Sequence, residues 1–122
     1  MKPKQAAVVL IAHGSRLEAA NEEVRRLAAR LAERLGQTVI PAFLELASPS
    51  IPEGIDQALS GNPSEIKVLP YFLTQGRHVQ EDIPRLLADK ARAYPETPIR
   101  LLPYLGAEEA IIDCLAETAR KM

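Results

Sequence analysis

The chain has two histidines, and each follows an apolar run. His13 stands in "LIAHGSR" (residues 10–16) and His78 in "FLTQGRHVQEDIP" (residues 72–84). Between them Glu45 interrupts the apolar "FLEL" of residues 43–46, about one strand–helix unit from either histidine. A carboxylate among apolar neighbours is costly unless it meets a partner or water. Two imidazoles and a carboxylate at one point would suit a borderline divalent transition metal, or would pass protons near neutral pH. His13 is followed by Gly14, Ser15 and Arg16, and His78 is preceded by Gln75, Gly76 and Arg77. Two turns of glycine with arginine, each beside a histidine, suggest an anionic ligand bearing several acid groups. The plainer alternatives are a loop-capping role for either histidine and a solvated one for the arginines.

Such a group can act only if the fold brings its members together. "AAVVLIA" (residues 6–12) reads as a strand buried on both faces. Leu17, Ala20, Val24, Leu27, Leu31 and Leu35 then recur at helical spacing up to a stop at Gly36. Residues 38–46 read as a second strand, which Pro41 assigns to a sheet edge. Ser50, Pro52 and Glu53 spell a capping box for a short helix ending at Gly61.

Residues 65–73 give a third strand, and a charged helix carrying Ile83, Leu86, Leu87 and Ala91 ends before Pro95. Asp82 is expected to cap that helix, with orientation of the His78 ring as its other possible role, and Glu81 to be solvated. "TPIRLLPYL" leads to a last helix bearing Ile111, Ile112, Leu115 and Ala119. The βαβαβαβα alternation predicts one three-layer α/β domain over residues 1–122: a four-stranded parallel sheet, helices on both faces, flavodoxin-like order 2-1-3-4. In that order strand one lies between two and three, roughly 4.8 Å from each. Glu45 and His78 would then flank His13 at the carboxyl ends of the strands, where open parallel sheets bind ligands.

Bulk composition narrows the function. With 122 residues, 47% of them hydrophobic, the chain is long enough for one core. Fifteen Lys and Arg against sixteen Asp and Glu give a net charge of −1, which argues against a nucleic-acid partner. The single cysteine, Cys114, excludes a disulfide framework or zinc finger within one chain and reads as a small buried hydrophobe. The amino-terminal apolar stretch is too short to span a membrane. A cytoplasmic protein without membrane attachment is expected. A phosphoryl or nucleotide-binding role is opposed by the lack of a Walker lysine pattern, of G-x-G-x-x-G and of an acidic magnesium cluster.

"AHGSR" before a long helix, then "FLELASPSI" and "PYFLTQGRHVQEDIP", resemble in order and spacing the sirohydrochlorin chelatases of the CbiX/SirB type. These are class II tetrapyrrole chelatases that need no ATP. The resemblance implies a chelatase-like α/β sheet and insertion of cobalt or iron, with nickel possible, into sirohydrochlorin for cobalamin or sirohaem synthesis. No organic cofactor is implied. It assigns His13 and His78 as metal-binding and catalytic residues, with Glu45 beside them as further ligand or proton acceptor. Ser15, Arg16, Gln75, Gly76 and Arg77 would hold the tetrapyrrole carboxylates. Longer relatives contain two facing domains, so this short chain is expected to work as a homodimer whose second copy roofs the site. The competing reading is a carrier that binds metal or tetrapyrrole without turnover.

Overall fold

The computed structural model describes residues 4–121, the His78 side chain excepted. Its elements follow the expected alternation: β1 (Ala7–Ala12), α1 (Glu18–Leu35), β2 (Val39–Phe43), α2 (Ile51–Ser60), β3 (Ile66–Pro70), α3 (Arg77–Ala93), β4 (Ile99–Leu101) and α4 (Glu109–Arg120). A short 3₁₀ turn, Leu105–Ala107, precedes α4. The strands form one parallel sheet in the order β2-β1-β3-β4. β1 is central and buried along its whole length, as its unbroken apolar sequence requires. Pro41 lies on edge strand β2, where a missing N–H costs little.

On one face of the sheet, Val9, Ile11, Ala42, Ile66 and Val68 form the core with Ile51 and Ile55 of α2 and Ile83 and Leu87 of α3. The capping box is present: Ser50 Oγ accepts from the Glu53 N–H, and the Glu53 carboxylate accepts from the Ser50 N–H. Gly36 ends α1 in the left-handed conformation.

Two expectations are corrected. Asp82 does not cap α3, because the helix begins five residues earlier with Gly76 as its N-cap and carries Pro84 in its interior. Cys114 is exposed rather than buried. Cys114 lies on α4, which among the described residues has no buried residue and rests mainly on the 3₁₀ turn, so the second face of the sheet is only partly covered.

Candidate active site

Backbone pairing outlasts the strands at their carboxyl ends. The Leu44 N–H donates to the Ala12 carbonyl at 2.9 Å and the Glu45 N–H to the His13 carbonyl at 3.1 Å. On the other side of β1, the Tyr71 N–H donates to the Ile11 carbonyl at 2.8 Å. His13 is thereby held by its main chain between the segments that follow β2 and β3. Gly14 makes the approach possible. It has φ +90°, and a Cβ there would lie 1.8 Å from the Glu45 carbonyl oxygen. No other residue type fits without parting the two strand ends.

The His13 ring packs on buried Phe72, with centroids 4.4 Å apart and planes inclined by 38°. One side of the imidazole is thus supported while the residue stays exposed. Glu45 is exposed beside it. His78 occupies the second position of α3, so its backbone stands on the β3 side of His13, opposite Glu45. Its side chain lies outside the described residues. Among the described residues no three His, Cys, Asp or Glu side chains converge to hold a metal; the expected trio includes His78.

The Gly-Ser-Arg turn is braced by Asn21, the one buried polar residue among those described. Asn21 Oδ1 accepts from the Ser15 N–H and its Nδ2 donates to the Ser15 carbonyl, both at 2.9 Å. Ser15 Oγ accepts from the Leu17 N–H, which leaves its own O–H to donate elsewhere. Arg16 is exposed, and among the described residues it has no ion-pair partner. Arg77 is 92% exposed and faces Glu81 at 3.4 Å, so Glu81 is paired as well as solvated. Gln75 and N-cap Gly76 precede it at the amino end of α3.

Arg25 locks the opposite flank. It bonds Glu18 and Glu22 at 2.5 and 2.6 Å, reaches the Ser48 carbonyl, and lies 5.3 Å above the Phe43 ring. Its bond holds the Glu18 carboxyl below the usual range, helped by Asn21, while Glu18 and then Glu22 raise the guanidinium.

Charge and motif reasoning passed over the apolar collar. Leu17, Leu46 and Leu73, which follow β1, β2 and β3, are 66%, 55% and 65% exposed. Leu46 also has φ +66°, a conformation that costs a branched residue about 1–2 kcal/mol. An exposed leucine thus follows each of three neighbouring strands at the carboxyl end of the sheet. Leu46 and Leu73 stand at the ends of apolar runs and read as strand continuation, while Leu17 reads as the first residue of the α1 periodicity.

An open parallel α/β sheet with an imidazole, a carboxylate, donor-rich turns and exposed leucines at its strand ends is of the class that binds ligands at that end. The CbiX family model matches residues 7–122. The chain belongs to the CbiX family.

Among similar proteins, a sirohydrochlorin cobaltochelatase of Methanopyrus kandleri is 39% identical over 66% of this chain and 57% of its own length. The chloroplastic sirohydrochlorin ferrochelatase of Arabidopsis thaliana is 30% identical over 87% of this chain and 48% of its own. The chain thus spans about half the length of these relatives. It covers 91% of a sirohydrochlorin cobaltochelatase of Methanosarcina barkeri, at 30% identity over 90% of this chain. The sirohydrochlorin chelatase SirB of Bacillus subtilis subspecies spizizenii, solved in complex with cobalt, superposes with TM-score 0.83 at 25% identity. That match covers 95% of this chain and 50% of SirB.

Proposed function

We propose that this chain inserts a divalent metal, cobalt or iron, into sirohydrochlorin without ATP or an organic cofactor. The observation that carries the reading is His13, propped on Phe72 and tied through its backbone to Glu45 at the ligand-binding end of a CbiX sheet. The macrocycle would lie on Leu17, Leu46 and Leu73, with its carboxylates taken by Ser15, Arg16, Arg77, Gln75 and the Gly76 main chain.

Neutral His13 and His78 would deliver the metal and accept pyrrole protons, with Glu45 as further ligand or acceptor. Two N–H protons leave for each metal that enters, so the bases must release them to solvent between steps. Acid should suppress the reaction by protonating the imidazoles before they can bind metal or take a proton. A shelf at strand ends is shallow for a large planar ligand, and a second copy of the single domain would supply the roof. The cytoplasm is the proposed compartment; among the described residues no helix is long and apolar enough to cross a membrane. Cobalt would place the reaction in cobalamin synthesis and iron in sirohaem synthesis.

The test is visible-absorption monitoring of purified protein with sirohydrochlorin and each metal in turn. Many turnovers with cobalt or iron are expected, and loss of turnover with retained tetrapyrrole binding in the His13→Ala, His78→Ala variant. Uptake of a single equivalent, or undiminished turnover by that variant, refutes the proposal.

A further inference from the structure

Among the described residues four positions have a left-handed backbone, and three of them carry the residues that stereochemistry favours there: Gly14, Gly36 and Asn62. The fourth is Leu46, at φ +66°. Its side chain lies outside the buried core and is 55% exposed, so core packing does not hold the strained backbone in place. The restraint comes from the loop around it.

That loop joins β2 to α2 and carries Glu45. Backbone bonds fix its two ends, from the Glu45 N–H to the His13 carbonyl at 3.1 Å and from the Phe43 N–H to the Pro49 carbonyl at 2.9 Å. Over residues 46–48 the tie comes from another element: Arg25 of α1 donates through Nη2 to the Ser48 carbonyl at 3.3 Å.

Arg25 is itself fixed from two sides. Its Nη1 bonds Glu18 at 2.5 Å and Glu22 at 2.6 Å, and its guanidinium carbon lies 5.3 Å from the centroid of the Phe43 ring. The second carboxylate oxygen of Glu18 accepts from Asn21 Nδ2 at 3.2 Å, and Asn21 bonds both backbone groups of Ser15. Glu18, Asn21, Glu22 and Arg25 follow one another at helical spacing, so one side of α1 carries the whole set. An unbroken run of contacts therefore leads from the Ser48 carbonyl, after β2, to the Ser15 backbone, after β1.

We propose that Arg25 is a positioning residue for the site: it fixes the loop of Glu45 and Leu46 against His13, acting through that loop rather than by contact with ligand or metal. While the guanidinium holds Ser48, the loop keeps Leu46 in a conformation it would otherwise leave, and Glu45 keeps its place beside His13. The catalytic consequence rests on the chelatase reading; the restraint on the loop does not. A surface ion pair adds little to global stability, so the clamp shows itself locally.

Arg25→Met retains bulk over Phe43 and removes every donor. In amide exchange, the Glu45 and Phe43 N–H groups should exchange about fivefold faster or more, with the β1 amides and the urea midpoint unchanged. In the insertion assay kcat should fall about tenfold. Leu46→Asn tests the mechanism, because asparagine takes the left-handed conformation more readily and the loop then needs less restraint. Arg25→Met should accordingly lower kcat much less in a Leu46→Asn chain than in wild type, a non-additivity that general destabilisation does not produce.

Unchanged Glu45 exchange in Arg25→Met, or equal acceleration along β1, overturns the clamp. Faster exchange with unaltered kcat, or the same kcat loss in both backgrounds, overturns the positioning role. Absence of turnover in wild type refutes the chelatase reading instead, and amide exchange then still decides whether Arg25 holds the loop.

Discussion

Replacing Gly14 by alanine tests how the strand ends are joined. The new Cβ would start 1.8 Å from the Glu45 carbonyl oxygen, and 3.0 Å from its carbon, on backbone held at φ +90°. Relief to a tolerable contact needs a displacement of more than about 1 Å, and backbone rather than a flexible side chain must move. That movement stretches the 3.1 Å bond from the Glu45 N–H to the His13 carbonyl beyond hydrogen-bond range.

Losing the bond costs about 1 kcal/mol, and the positive φ costs alanine a further 1–2 kcal/mol. A loss of about 2–4 kcal/mol is therefore expected once residual crowding is included. Urea denaturation would show it as a lower midpoint with unchanged slope. A catalytic group displaced by about 1 Å loses on the order of 100-fold in rate, so metal insertion should fall by that factor in protein that remains folded. Gly61→Ala is the control: its φ is −84° and the nearest atom to an added Cβ is 3.6 Å away. It should be neutral or slightly stabilising. If Gly14→Ala matches wild type within about 0.5 kcal/mol and keeps full insertion activity, the close approach has no structural or catalytic role.

Phe72→Leu should preserve most of the core volume while removing the ring beneath His13, at a cost of about 1–2 kcal/mol; kcat should fall more than KM rises, and equal effects on both would argue against a positioning role. Asn21→Ala removes both bonds to the Ser15 backbone and leaves those groups short of partners, so about 2–3 kcal/mol should be lost in denaturant unfolding; a change under about 0.5 kcal/mol would refute the bracing role. Glu53 has its carboxyl lowered by the Ser50 N–H first and by the Ser50 hydroxyl second. Its charge therefore favours the folded state above the unfolded carboxylate range, and that advantage disappears as pH falls through the lowered folded value. Stability of wild type relative to Glu53→Gln should be greatest near neutrality and converge in acid; a difference that grows in acid would reverse the assignment.

Local chemistry made several features readable without coordinates. Ser50 and Glu53 satisfy each other's backbone donors within four residues, and Pro41 cannot serve a central ladder, so the α2 cap and the β2 edge were legible. The α3 start was not, because Asp82 has the side chain of a cap and only the bonded turn before it places the helix start at Arg77. Leu46 and Leu73 have the composition of strand residues; pairing that stops short leaves them as an exposed rim. Phe72 beneath His13 is invisible in the sequence, since its ring comes from the segment that follows β3, nearly sixty residues away along the chain.

The amino-acid order by itself determined the alternation of strands and helices, the parallel sheet and the candidate residues, because period, caps and breakers act over a few positions. Tertiary structure alone decided that Glu45 and His13 are joined backbone to backbone through the space Gly14 leaves open. It alone decided that α4 stands clear of the sheet. An amphipathic pattern states that one face of a helix will be buried, but the direction in which the chain leaves the preceding turn determines which surface can bury it.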